Sequence, residues 1–184
     1  MIDYAYEHGV NYFDTAYPYH HGLSEIFIGK ALKKYPRESF NLASKMPSWL
    51  IKSKEDAIRI FNEQLEKCQV EYFDYYLCHA LSKEHFKAYL LPGVMDFLYQ
   101  MKKEGKIRHL GFSFHDTPDV LDEIIHTFEW DFVQLQLNYL DWSFINADKM
   151  YEIVEAYGAP CIVMEPVRGG TLANLSNEAQ QIFR

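Results

Sequence analysis

Apolar and polar positions alternate between two periods along this chain. Short strand-like runs recur at residues 11–16, 40–45, 72–79, 107–114, 132–139 and 161–167. Between them, apolar residues fall three and four apart, the spacing of a helix with one buried face. The helix expected from Ser24 carries Ile28, Ala31, Leu32 and Tyr35 and is stopped by Pro36. Ser53 to Asp56 reads as a capping box ahead of Ala57, Ile60, Phe61, Leu65 and Cys68. Pro92, at a first turn, leads Val94, Phe97, Leu98 and Met101 to a stop at Gly105. Thr117-Pro118 opens a helix with Leu121, Ile124, Ile125 and Phe128, and Met150, Ile153, Val154 and Tyr157 run to Gly158. Residues 2–9 read as the tail of a helix, and residues 177–184 as one more helix.

Strands and helices that alternate at intervals of roughly 25–35 residues describe a parallel α/β sheet. Two architectures satisfy that pattern, an open doubly wound sheet and a (β/α)8 TIM barrel. A full barrel takes about 250 residues. The 184 residues here hold six units and start with an unpaired helix. The expectation is a single barrel domain over residues 1–184, incomplete, with six of eight strands present and the first and last strands absent. Two unpaired sheet edges would then invite self-association.

Composition narrows the partners. The net charge of -8 disfavours nucleic acid and anionic membrane surfaces. No apolar run reaches 18 residues, so a membrane span is not expected. Met1-Ile2-Asp3 does not open like a secretion signal. Cys68, Cys78 and Cys161 are odd in number and have no metal-type spacing. A cytoplasmic location is the natural expectation.

The chemistry sits where strands are expected to end. Asp14 closes the first strand, and Tyr19 follows in a Tyr/Pro/His/Gly loop; Lys45 closes the second and His79 the third. In a barrel these ends converge on one mouth. There an ammonium beside a phenol favours the phenolate and makes the hydroxyl a better acid. Asp14 would hold the ammonium, and His79 would orient a substrate oxygen. Each residue also has another role open to it: Asp14 as a turn cap, Tyr19 as a surface aromatic, Lys45 as a surface lysine, His79 as a core histidine or half of a metal site, though no second ligand is near it in sequence. Cys78-His79 is a poor nucleophile pair, because adjacent strand residues face opposite ways. Tyr17, Trp49 and Trp142 are candidates to line an aromatic substrate pocket.

The motifs FDTAYPYHHGLSE, ASKMP, YYLCHA, GKIRHLGFSFHD, FVQLQLNY and IVMEPVRGG, in that order, resemble the aldo-keto reductases over nearly the whole chain. The combination GFSFHD with VMEPVRGG is most similar to the branch that often carries a C-terminal ferredoxin-like extension; no iron–sulfur cluster is expected within this chain. The resemblance implies an NAD(P)H-dependent reductase of aldehydes or ketones, with NADP the family habit and NAD the alternative. It implies Tyr19 as general acid, Lys45 and Asp14 as its tuning partners, and His79 as the carbonyl-orienting group. It places Ser113 and Gln134 at the nicotinamide carboxamide. Met164, Glu165 and Val167 fall where the last strand packs on the nicotinamide and the pyrophosphate site begins. The family's usual Ser-Asn after the fourth strand is Ser113-Phe114-His115 here. A relative that binds a nucleotide or a partner without turnover stays open, as does a metal hydrolase using His20, His21 and His115.

Overall fold

The computed structural model describes residues 1–182. Its frame is a six-stranded, all-parallel sheet whose strands lie in chain order. Helix α1 (Ile2–Glu7) precedes strand β1 (Tyr12–Asp14), and α2 (Ser24–Leu32) leads to β2 (Asn41–Pro47). Then come α3 (Lys54–Cys68), β3 (Phe73–Leu81), a 3₁₀ segment (His85–Leu90) and α4 (Val94–Lys103). β4 (Ile107–Phe114), α5 (Pro118–Ile125) and β5 (Phe132–Gln136) follow. α6 (Asp141–Phe144), α7 (Ala147–Tyr157), β6 (Cys161–Met164) and α8 (Asn177–Ile182) complete the order. Sequential parallel pairing with a helix in each crossover makes this part of a barrel wall.

All six expected strands form, with shifted ends. β5 stops at Gln136 because Gln136 and Asn138 both turn their side-chain amides onto Asp141 at 2.7 and 2.5 Å, starting α6. β6 stops at Met164 because Glu165 takes φ 55° and Pro166 has no N–H to donate. β1 is cut to three residues as the chain leaves for the Tyr19 loop. The expected capping box on α3, whose N-cap is Ser53, does not form. Asp56 accepts the N–H of Lys52 at 3.0 Å, while the Ser53 side chain makes no capping hydrogen bond. Pro92 lies ahead of α4, whose N-cap is Gly93 at φ 80°. The helix expected over residues 177–184 is described to Ile182, and its last two residues lie outside the described range.

Two apolar layers flank the sheet. The larger one joins the strands to the helices through residues such as Leu42, Phe73, Tyr76, Phe112 and Val133 from the sheet, and Ile60, Phe61, Leu98 and Leu121 from the helices. The concave face carries a smaller cluster of Ala43, Leu77 and Phe132, bordered by Tyr12, Tyr75 and Ile162. Its filling depends on one missing side chain. A Cβ on Gly111 would stand 2.3 Å from the Phe132 carbonyl oxygen and 2.7 Å from its ring, so only glycine lets that ring cross β4.

The lower rim is fastened by charge. Asp74 is 1% exposed and accepts from Arg37 at 2.6 Å, Arg108 at 2.7 Å and the N–H of Leu42 at 2.8 Å. The Tyr72 ring lies against both guanidiniums, at 3.9 and 4.1 Å. One carboxylate thus ties β2, β3 and β4 below the apolar layers and fixes the height of each strand's other end.

Gly111→Ala is expected to destabilise the fold by roughly 1–3 kcal/mol through overpacking on Phe132, read as a lower urea midpoint with an unchanged slope.

Candidate active site

The parallel sheet sends every strand's C-terminal end to the same rim. Alternation then selects which side chains face inward. Asp14, Lys45, His79, Ser113 and Gln134 come from five successive strands. The registers that pair Asp14 with Ala43, Lys45 with Leu77, and Ser113 with Gln134 bring them to one level.

Lys45 is 1% exposed, and its ammonium has three acceptors for its three protons. Nζ forms an ion pair with Asp14 Oδ1, and also reaches the Thr15 carbonyl at 3.0 Å and Tyr19 Oη at 3.4 Å. Asp14 Oδ2 accepts from Gln134 Nε2 at 3.1 Å. The carboxylate is therefore held from both sides, and the ammonium is aimed at the phenol. Tyr19 lies in the loop after β1, with 38% of its surface exposed, so a molecule at the mouth can reach its hydroxyl.

His79 stands edge-on to Tyr19, ring centres 5.8 Å apart. Tyr89 Oη accepts its backbone N–H at 3.3 Å and donates to the Met46 carbonyl at 2.7 Å, which bolts β3 to β2 at this point. Burial drives the His79 imidazole's pKa down to about 3, helped by the Lys45 charge and the nearby His115 and His85. The ring is therefore neutral at pH 7, with one nitrogen as donor and one as acceptor. Its Nδ1 has no hydrogen-bond partner among the described residues.

Just past His79 the β3–β4 register slips between Cys78 and Leu81, and Ala80 takes φ 52°. Ser113 Oγ accepts the Ala80 N–H at 2.8 Å and closes that bulge, leaving its own proton to donate. His85 contacts the same bend through Nδ1 and the Ala80 carbonyl, at 2.8 Å. Trp49 lies between the two imidazoles, 5.2 Å from the His79 ring and 5.5 Å from that of His85.

The structure thus gathers Asp14, Tyr19, Lys45, His79 and Trp49, with Ser113 and Gln134 beside them. Tyr17 is not among them: its hydroxyl donates to Glu63 on α3 at 2.7 Å, and the Lys67 ammonium covers its ring at 3.8 Å. The expectation that it lines the pocket is corrected, because the loop turns it toward the helices. Trp142 sits on α6 against Tyr151, 6.1 Å between ring centres. Sequence reasoning missed His85 and Tyr89; a histidine and a tyrosine within ten residues of His79 were the only signal.

Met164 is the last residue of β6, paired with Gln136 of β5, and Glu165 and Val167 lie just past it. The Met164 carbonyl accepts from Leu137 N–H at 3.2 Å, and the Glu165 carbonyl from Asn138 Nδ2 at 3.1 Å. His115 lies behind this corner. Burial lowers its pKa, and the negative charge of Glu165 partly opposes that. A dinucleotide fits here on one count in particular. Gln134 Oε1 is buried without a hydrogen-bond partner among the described residues, the acceptor that a carboxamide N–H would satisfy, and the Ser113 hydroxyl, which accepts from Ala80, keeps its proton to donate.

The sequence profile described as "Aldo/keto reductase family" matches residues 1–184. The chain belongs to the aldo/keto reductase family. Among its relatives is the "NADH-specific methylglyoxal reductase" of Escherichia coli (strain K12), 28% identical over 185 residues that cover 91% of this chain and 56% of that protein. Another is the "Probable aldo-keto reductase 1" of Glycine max, 29% identical over 162 residues, or 84% of this chain and 44% of that one. An aldo-keto reductase from Bacillus halodurans in its holo form superposes with a TM-score of 0.72 at 26% identity, covering 96% of this chain and 60% of that one. The Klebsiella pneumoniae aldo-keto reductase in complex with NADPH shares the fold, with a TM-score of 0.74 at 22% identity over 94% of this chain and 59% of that one. The chain thus spans about half the length of these curated relatives and some 60% of the solved chains.

Among the described residues, no group of three or more His, Cys, Asp and Glu side chains could hold a metal ion. His20 and His21 lie exposed in the Tyr19 loop at φ 51° and 57°, on a different segment from His115. No described helix is long and apolar enough to cross a membrane.

The neutral state of His79 has a consequence for pH. The unfolded chain takes up this proton near pH 6.5, the folded chain only near pH 3. Stability from this site is therefore complete above pH 6.5 and is lost as the pH falls toward 3. By NMR, the His79 ring carbons should hold neutral-imidazole shifts from pH 8 to pH 5; a midpoint near 6.5 would contradict the burial argument.

Proposed function

We propose that this chain carries the catalytic part of an NAD(P)H-dependent reductase that converts an aldehyde or ketone to an alcohol, with Tyr19 as the general acid. The observation that supports it most is the Lys45 ammonium shared between Asp14 and Tyr19, with a neutral imidazole facing the same phenol. A bound nicotinamide would supply hydride for the carbonyl carbon. As the carbonyl oxygen gains charge, Tyr19 gives it the phenolic proton, and the phenolate left behind is stabilised by Lys45. Asp14 keeps the ammonium in place, and Gln134 keeps Asp14 in place. His79, being neutral, offers the substrate oxygen a hydrogen bond without competing as a stronger acid.

Ser113 and Gln134 would hold the carboxamide, and Met164, Glu165 and Val167 would flank the ring and begin the pyrophosphate site. The Met164 thioether can pack on a flat ring. NADP(H) is the cofactor favoured, since one superposed relative holds NADPH; NAD(H) is the alternative, since another relative is named for NADH. Trp49 beside His79 and His85, with Tyr19 edge-on to His79, makes a substrate wall of flat rings, suited to an apolar or aromatic carbonyl compound. Among the described residues β1 and β6 each have one hydrogen-bonded neighbour, and we extend the proposal to self-association along those edges.

Fluorescence titration with NADPH and then NADH, followed by turnover of a model aldehyde, tests this reading. Tyr19→Phe is expected to cut turnover by about 10²–10⁴-fold while leaving cofactor affinity unchanged. Undiminished turnover would refute the role of Tyr19, and cofactor binding with no turnover in the parent chain would mark a binding relative instead. Sedimentation velocity should show dimers or larger species; a strict monomer would exclude the edge contact.

A further inference from the structure

Behind Lys45, on the helix side of β2, lies a second polar group that none of the chemistry above uses. Glu25 is 0% exposed, and its Oε1 accepts from Ser44 Oγ and from Gln64 Nε2, each at 2.6 Å. Gln64 Nε2 also reaches Ser44 Oγ at 2.9 Å and the Lys45 carbonyl at 3.1 Å, and its Oε1 accepts from Tyr76 at 2.5 Å. Glu25 Oε2 has no hydrogen bond among the described residues; the Lys67 ammonium is 3.8 Å away.

Such a cluster is expensive to bury and contributes little net stability compared with apolar residues of the same size. Its position suggests what it does instead. In a parallel ladder, alternate residues turn both N–H and C=O to the same neighbouring strand. The Ala43 carbonyl accepts from Thr15 N–H at 2.9 Å, so Lys45, two residues on, also faces the β1 side. By that height β1 has ended, and the chain has left to form the loop that carries Tyr19. The carbonyl of Lys45 would lack its ladder partner, and Gln64 supplies the donor from α3.

The other end of that loop is fastened to the same carboxylate. Glu25 is the second residue of α2. Ser24, just before it, accepts from Thr15 Oγ1 at 2.9 Å and donates its N–H to the Tyr19 carbonyl at 3.2 Å. Gly29, one turn along α2, makes the reach short enough: a Cβ there would stand 2.6 Å from the Cys68 carbonyl group of α3.

We propose that Glu25 and Gln64 are positioning residues: through Ser44 and the Lys45 carbonyl they lock the strand bearing the ammonium to the loop bearing the phenol, and so set the Lys45–Tyr19 contact. This rests on the acid pair proposed above. Breaking the lock lets the loop and the strand shift relative to each other while each stays folded.

The test places 3-fluorotyrosine at position 19 of the full chain and reads its ¹⁹F resonance at one pH, well below the melting temperature, so that no turnover is needed. The groups that meet that ring are the Lys45 ammonium, 4.9 Å from its centre, and the His79 imidazole, 5.8 Å away. Lys45→Met gives the reference shift. Gln64→Leu, Glu25→Ala and the milder Tyr76→Phe are expected to move the resonance in the same direction and to lower turnover about 10–100-fold, with affinity for NADPH unchanged. Leu121→Ala, a core truncation on α5, is expected to lower the melting temperature and leave the resonance in place. If the lock variants only lower the melting temperature, as Leu121→Ala does, the inference is overturned and the proposed function stands. If Lys45→Met itself leaves the resonance unmoved, the acid pair is wrong and the lock falls with it. Should Gln64→Leu not fold, Tyr76→Phe decides alone.

Discussion

The upper half of the structure answers to one constraint, the burial of the Lys45 ammonium. Removing such a charge from water costs several kcal/mol even after the protein relaxes. That cost is met only if each N–H finds an acceptor and an opposite charge lies close. Asp14, the Thr15 carbonyl and Tyr19 meet it from a strand end, the bend after it and a loop. All three precede Lys45 in sequence, and the parallel pairing of β1 with β2 brings them back to it. The geometry of a proposed acid thus coincides with the least costly way to hide a lysine.

Each neighbouring feature keeps that arrangement in register. Asp74 fixes the lower ends of β2, β3 and β4 with two guanidiniums and one backbone N–H. Gly111 gives the Phe132 ring its only path across β4, which sets how near β5 and its Gln134 come. Gln134 then holds the far oxygen of Asp14. Distances at the mouth are therefore set by packing well below it, as expected where interiors are close-packed and errors propagate.

Lys45 and His79 divide the electrostatics between them. Both are buried, yet one pairs with the Asp14 carboxylate and the other has no carboxylate paired with it among the described residues. Burial and the lysine's own charge keep the imidazole neutral. The result is a cation and an uncharged imidazole beside one phenol, an arrangement suited to giving a single proton to an oxygen gaining negative charge. The Trp49 ring stands between those of His79 and His85 and walls one side of the mouth.

The sequence determined the alternation of strand and helix, the parallel sheet and the strand-end residues Asp14, Lys45 and His79, because these follow from local periodicity and from where polar residues interrupt apolar runs. Strand limits were less legible. β5 and β6 end where Asn138 meets Asp141 and where Glu165 turns left-handed, events outside any hydrophobic pattern. The inward or outward sense of loop residues was not legible at all. Tyr17 and Tyr19 stand two apart in one loop, yet one meets Glu63 and the other Lys45, since a loop has no fixed period to assign its faces. Glu25 and Gln64 looked like ordinary helix residues. Only the close approach of α2 to α3 over Gly29, joining positions 39 apart in the chain, made them a pair. Contacts between distant positions depend on three-dimensional packing, and periodicity along the chain carries no record of them.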